Sequence, residues 1–430
     1  MWLMLVQTWN HDDPPARRST RRRIPVLGTP GMRGRRPAAI VACAAIVAGC
    51  AMIQPTGGPS APISSAVAPS RSPGASIEPG SPSPSLAVDL NSMPAADVLA
   101  QGTIPTADTT PLQDVKTDGS VIFWSTGVNA APDTAPDLWA TLPGAAPKRI
   151  FANPNRDSSL LPIVGSGGRY AFVESNPRIY GPNGWRLWYL DHPGATPVQL
   201  DASDGPSSLP LLAMTTDQIV WAVIHGPASD SSSELLAATL PDLKKRTVER
   251  SPSTKLQYVF PSLLGSELAF GVEDPLTGAE HVDLLDLATT GAVARQLDTS
   301  GGATMPVLTG DSVLWKEGAN IFSSGQLVRD LLPDGPTTEL AFGTWSGVLY
   351  PSAGRRFVTA WGWDTTQFYV LDLTTNQAIL LEGFPSTGPL NDVRPYIAGD
   401  LLVWSRGVST LDAQGQPTQP LQLAWARLAP

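Results

Sequence analysis

From residue 111 to the C-terminus the chain alternates short apolar stretches with turn residues, at a nearly constant interval. Each unit opens near a proline: Pro111, Pro162, Pro210, Pro261, Pro306, Pro351 and Pro395, spaced by 51, 48, 51, 45, 45 and 44 residues. Apolar residues surround the proline, as in Leu161-Pro162-Ile163-Val164 and Met305-Pro306-Val307-Leu308. A turn follows, written Asp118-Gly119, Gly265-Ser266, Gly310-Asp311 or Gly399-Asp400. A β-branched or aromatic stretch comes next, at 121–124, 170–173, 219–222, 268–271, 313–316, 357–361 and 401–404. Runs of this kind, bounded by turn residues, predict strands. A third strand is expected at 137–142, 186–191, 234–240, 282–287, 367–373 and 421–428, with only a clipped version in the fifth unit near 320–323. A fourth is expected at 147–152, 197–202, 244–250, 293–299, 327–333 and 377–383.

A strand-based unit repeating at this period predicts an all-β fold, a seven-bladed β-propeller with four-stranded blades. Proline lacks an N–H and is tolerated at the first residue of a strand or on an edge, so its recurrence marks the innermost strand of each blade. The seventh unit has no fourth strand, because the chain ends at Pro430. The segment 95–101, Ala-Ala-Asp-Val-Leu-Ala-Gln, supplies a strand that would complete it and remove an open edge. Residues 88–430 then form the propeller domain, 343 residues at 49 per blade.

The order of proline, Gly-Asp or Gly-Ser turn, apolar strand and a Leu-Asp-Leu strand (Leu284-Leu285-Asp286-Leu287, Val370-Leu371-Asp372-Leu373) resembles TolB-like and WD-repeat-like propeller repeats. The resemblance covers about 330 residues, with Gly-Asp or Gly-Ser where those repeats usually carry Pro-Asp-Gly. It implies the fold and an extracytoplasmic setting, and no shared catalytic residues.

The N-terminal region reads differently. Eight arginines lie between Arg17 and Arg36, and a charge-free apolar run follows from Pro37 to Ile53. Within it Val47-Ala48-Gly49-Cys50 resembles a bacterial lipobox, so residues 1–49 are expected to be a signal peptide and Cys50 the lipidated residue. The run is shorter than the roughly 20 residues of a spanning helix. Met32 would give a more compact signal and is the expected true start. Residues 51–86 hold eight prolines, nine serines and four glycines, so 50–87 reads as a lipidated cysteine with a disordered tether. These features predict attachment to the outer face of the cytoplasmic membrane of a bacterial cell envelope.

From Cys50 onward, 21 basic residues against 36 acidic ones leave a charge near −15. No basic face suited to nucleic acid is visible. With both cysteines near the N-terminus, at Cys43 and Cys50, the propeller has neither a disulfide nor a thiolate metal site.

Candidate chemistry is sparse. Chain direction puts the connections 125–135, 174–184, 223–233, 272–281 and 405–419 on one face and the tight glycine turns on the other. Ligand sites favour such loops. Only His192, His225 and His281 remain beyond the signal, without metal-ligand spacing. Glu273, Asp274, Glu280, His281 and Asp283 crowd one connection but fit no calcium loop. Gly310-Asp311-Ser312 reads as a hairpin turn rather than a nucleophile motif. Trp124, Trp221, Trp315 and Trp404 hold equivalent places that suit packing between blades, whereas Trp185 and Trp363 sit at loop edges, positions open to ligand stacking and to core packing alike. The residues singled out as ligand-binding candidates are Trp185, His225, Glu273, Asp274, His281, Trp363, Asp364, Asp392, Arg394 and Arg406. No catalytic set, metal site or cofactor is indicated.

The reading that follows is a lipid-anchored binding or scaffolding module whose long-loop face meets a protein, peptide or glycan of the envelope. A propeller enzyme, a glycan-acting hydrolase or lyase, is the alternative; it requires acidic or histidine side chains converging from several blades. A structural accessory subunit, the third class, would show a large apolar patch on its rim.

Overall fold

The computed structural model describes residues 93–94, 96–104, 112–126, 136–181, 183–226, 231–251, 256–275, 277–298, 301–318, 325–333, 335–340, 348–362, 368–381, 395–406 and 422–430. These form seven four-stranded antiparallel sheets and, among the described residues, no helix. Six blades are continuous in sequence, at 112–151, 159–203, 211–250, 257–296, 303–340 and 348–381. The seventh, at 396–428, takes its outer strand from the N-terminal segment Val98–Ile104, paired antiparallel with Gln422–Leu428. That closing strand begins three residues later than the sequence suggested. First strands touch first strands all the way round, including Tyr396–Ala398 of blade 7 against Leu112–Thr117 of blade 1, so the ring is closed.

The prolines turn out to mark a bulge more often than a strand start. Leu161-Pro162, Phe260-Pro261, Met305-Pro306 and Tyr350-Pro351 each fill the place where the first strand slips its register against the second. A bulged residue gives up its ladder partner, so a proline there forfeits no hydrogen bond. Pro210 and Pro395 come immediately before their strands, Leu211–Met214 and Tyr396–Ala398. In blade 1 the bulge is Asp114-Val115, with no proline, and Pro111 lies outside the described residues. The bulges bend the chain into the left-handed region at Asp114, Phe260 and Met305 (φ 46°, 50° and 56°), a conformation costly for a phenylalanine or methionine.

Side chains near the bulges tie neighbouring blades together. Ser262 Oγ accepts the Leu308 N–H of the next blade, Ser352 Oγ accepts that of Ile397, both at 2.9 Å, and the Asp114 carboxylate accepts that of Ile163.

Alternation along strand two sends successive side chains to opposite neighbours. Trp124, Phe172, Trp221, Phe270 and Trp315 all face the preceding blade, each within an apolar cluster shared with it. The tryptophans expected to pack between blades do so at 124, 221 and 315, and Trp404 is buried as well. Blade 5 departs from expectation. Its third strand is Gly325–Leu331, where a fourth was predicted, and its fourth is Thr337–Leu340; the clipped segment near 320–323 lies outside the described residues.

Candidate functional site: the long-loop face

In every blade the second strand runs away from the tight turn, so the seven strand-two ends share one face. They are Thr126, Ser175, His225, Glu273, Gly318, Gly362 and Arg406. The ring therefore brings His225, Glu273 and Arg406, three residues singled out in the sequence, to the same side of the domain from three blades. Trp363, Asp364, Asp392 and Arg394 lie outside the described residues, as does the side chain of Arg406.

The crowd of ionisable residues in blade 4 does not converge. Glu273 and Glu280 are register partners, and Glu280 shares its side of the sheet with Val282, which packs toward blade 5. His281 and Asp283 alternate to the other side, where Leu285 packs toward blade 3. The sheet itself stands between the two pairs. His281 Nε2 lies 3.5 Å from Asp283 Oδ1. Burial raises the Asp283 carboxyl, and the His281 charge pulls it back only in part; burial also raises Glu273. Asp274 caps its own turn, accepting the Thr277 N–H on its side chain and the Gly278 N–H on its carbonyl. Among the described residues no three His, Cys, Asp or Glu side chains gather as a metal site would require.

Trp185, considered for ligand stacking, is fully buried. Its ring lies in the core between blades 2 and 3, and its indole N–H donates to Ser207 Oγ at 2.8 Å. It is a packing residue. His225 is half-buried and joins Ser232 in the ladder. Gly310-Asp311-Ser312 is a hairpin turn, with Thr309 N–H donating to the Ser312 carbonyl and Arg329 held on Asp311.

Two features of this face were not singled out in advance. The first is Glu174, buried at 4% exposure. One carboxylate oxygen accepts Asn155 Nδ2 (2.7 Å) and Ser158 Oγ (2.8 Å), the other Tyr180 Oη and Trp188 Nε1 (3.0 Å each). Four neutral donors from three segments thus converge on one buried carboxyl group. Burial, then the neighbouring Glu174, push the Tyr180 hydroxyl up to about 12. The second is Lys316, which has no exposed surface. Burial lowers its amine to about 8, against the opposing pull of Glu280. Gly325 makes room for this side chain, because a Cβ there would come within 2.8 Å of Lys316 Cε and 2.4 Å of the Glu317 carbonyl. In both cases the only sequence signal was a charged residue at the end of an apolar strand.

Fold and face together define the chain as a seven-bladed, antiparallel β-propeller whose last blade is closed by an N-terminal strand. No family model and no curated protein sequence matches it. Among solved structures it is similar to TolB from Acinetobacter baumannii, at 17% identity over 60% of this chain and 63% of that one, with a TM-score of 0.41. It thus spans less than two thirds of that relative's length. It is also similar to an oligogalacturonate lyase from Vibrio parahaemolyticus, at 11% identity over 77% of this chain and 97% of that one, TM-score 0.52. An oligogalacturonate lyase in complex with manganese gives 11% identity, 77% and 96% coverage, and a TM-score of 0.53. At such identities the likeness to the lyases is one of fold.

Proposed function

We propose that this protein is a lipid-anchored, extracytoplasmic binding or scaffolding module whose long-loop face engages a protein, peptide or glycan of the bacterial envelope. The observation that carries the reading is the closed ring, which presents strand-two ends from all seven blades on one side. On the opposite face, three aspartates at the tight turns are committed to local contacts. Asp118 accepts the N–H groups of Ser120, Val121 and Gly167, while Asp311 holds Arg329 and Asp400 holds Arg427. The lipobox at Cys50 and the tether after it supply the anchor in this reading.

The test is capture from the organism's own envelope, using the tethered domain with and without His225→Ala and charge reversals at Glu273 and Arg406. Partner recovery should fall with the altered face; equal recovery would sink the proposal. The lyase reading rests on shared fold, and glycan cleavage by the purified propeller would favour it instead.

A further inference from the structure

We infer that the outer edge of the closing strand, Val98–Ile104, is a self-association surface, where a second copy of this chain adds its own closing strand antiparallel across a two-fold axis. The inference is independent of the long-loop-face reading. Completing blade 7 moves that blade's open edge outward: Val98–Ile104 stands at the end of its sheet and, among the described residues, pairs with Gln422–Leu428 alone. Such an edge offers a row of unpaired N–H and C=O groups that another extended strand can fill.

The seven blades do not guard their outer edges equally. Charge and short length discourage edge pairing. Lys148–Phe151 has four residues, two of them cations, and Val198–Ser203 carries Asp201. Lys244–Arg250 holds five charges. Arg295–Gln296 has two residues, and Thr337–Leu340 has four, with Glu339 among them. Gln377–Leu381 is uncharged but five residues long, and it buries Ala378 and Leu381. Val98–Ile104 alone combines seven residues, no charge and an exposed run from Leu99 to Gln101, with Leu99 at 58%.

Two observations make the occupant a second copy. The strand reads alike in both directions about Gln101: Val98 mirrors Ile104, Ala100 mirrors Gly102, and Leu99 meets Thr103. Antiparallel pairing on a two-fold therefore sets β-branched against β-branched, small against small, and Gln101 against itself. Charge gives the second observation. At the start of the strand the described charges are Asp97, Asp372 and Asp400 against Arg355, Arg356 and Arg427. Asp97 and Asp372 share Arg356, and Asp400 holds Arg427. This edge is thus neutral in a chain that carries a charge near −15 beyond Cys50, and whose copies repel one another elsewhere. A basic partner would find its complement on the acidic surfaces, whereas this edge favours a strand as uncharged as itself. The strand runs toward the long-loop face, so the two-fold leaves both long-loop faces uncovered and pointing opposite ways. One strand pair makes a small interface of the weak class, suited to copies concentrated at a surface.

The test introduces single cysteines into the full-length protein and oxidises it in its own envelope. Gln101→Cys should give a disulfide-linked species of twice the chain mass that the wild type does not give. Val198→Cys, 47% exposed on another outer strand, and Val293→Cys, 87% exposed, should give none. Copies with Leu99→Cys should link to co-expressed copies with Thr103→Cys. Adding Gln101→Lys to both sets like charges face to face and should cut that yield several-fold, while the melting temperature stays unchanged because the side chain is exposed. No dimer through position 101, equal dimer through 198 or 293, or a yield untouched by the lysine would each overturn the inference and leave the loop-face proposal standing. So would linkage of the Gln101→Cys protein to a different protein in place of its own copy.

Discussion

A lysine without exposed surface at the end of an apolar strand gives Lys316 a consequence that can be measured. Its amine falls from 10.5 to about 8 on folding, so between those values the unfolded chain binds a proton that the folded chain does not. Stability attributable to this group therefore rises with pH across that window and is lower below it. Lys316→Met should flatten the rise, seen as a difference in melting temperature between wild type and variant that shrinks from pH 8 to pH 10. Tyrosines raised by burial are common to both proteins and drop out of the comparison. Ser352 shows a different economy of the single residue. Its hydroxyl is buried and is the acceptor for the Ile397 N–H of the next blade. Ser352→Ala leaves that donor unsatisfied and should cost about 1–3 kcal/mol in a urea melt. Neither role is written in the sequence near the residue, since each depends on a partner from elsewhere in the chain.

At the level of elements, most strands were legible because each blade repeats the same local pattern of apolar run and turn. Blade 5 was not, because residues 325–331 (Gly-Gln-Leu-Val-Arg-Asp-Leu) read equally well as a third or a fourth strand, and only pairing with Ser312–Gly318 assigns them. The bulges escaped for a related reason: a proline at a strand start and a proline in a bulge differ only in what lies opposite. The closing strand is held by more than its ladder. Arg356 in the hairpin of blade 6 pairs with Asp97 (2.9 Å), just ahead of Val98–Ile104, and with Asp372 (2.7 Å) in its own blade. The hydrogen bonds it donates to Asp372, then to Asp97, hold the guanidinium in its charged form. On Asp372, burial works toward a higher value, and the bonds from Arg356, Thr374 and Thr375 outweigh it to leave the carboxyl below its usual range. Its stabilising effect is thus present at neutral pH and lost as pH falls below about 4. Arg356→Ala, which strands two part-buried carboxylates, should destabilise the propeller by about 3 kcal/mol at pH 7. The deficit should narrow in acid, as read by denaturant melts at pH 7 and pH 3. An equal deficit at both values would show that the clasp does not act through charge.

Across the whole molecule, the proposed anchor makes a prediction separate from the fold. Cys50→Ser should move the protein from the membrane fraction to the soluble one and abolish incorporation of a labelled fatty acid, while the propeller's melting temperature stays unchanged. Retention in the membrane would remove the lipoprotein proposal without touching the fold. The sequence by itself determined the number of blades, the alternation of tight and long connections, and the N-terminal strand's role in closure. Those depend on a local pattern repeated seven times, and a repeat needs no knowledge of distant neighbours. Only the tertiary structure decided which residues meet. It divided Glu273 and Glu280 from His281 and Asp283 across one sheet, turned Trp185 into core, and drew Asn155, Ser158, Tyr180 and Trp188 onto Glu174. Side-chain direction in a strand flips with every residue, so closeness in sequence says little about who shares a site. In a propeller the curvature of the ring and the register of each pair settle it.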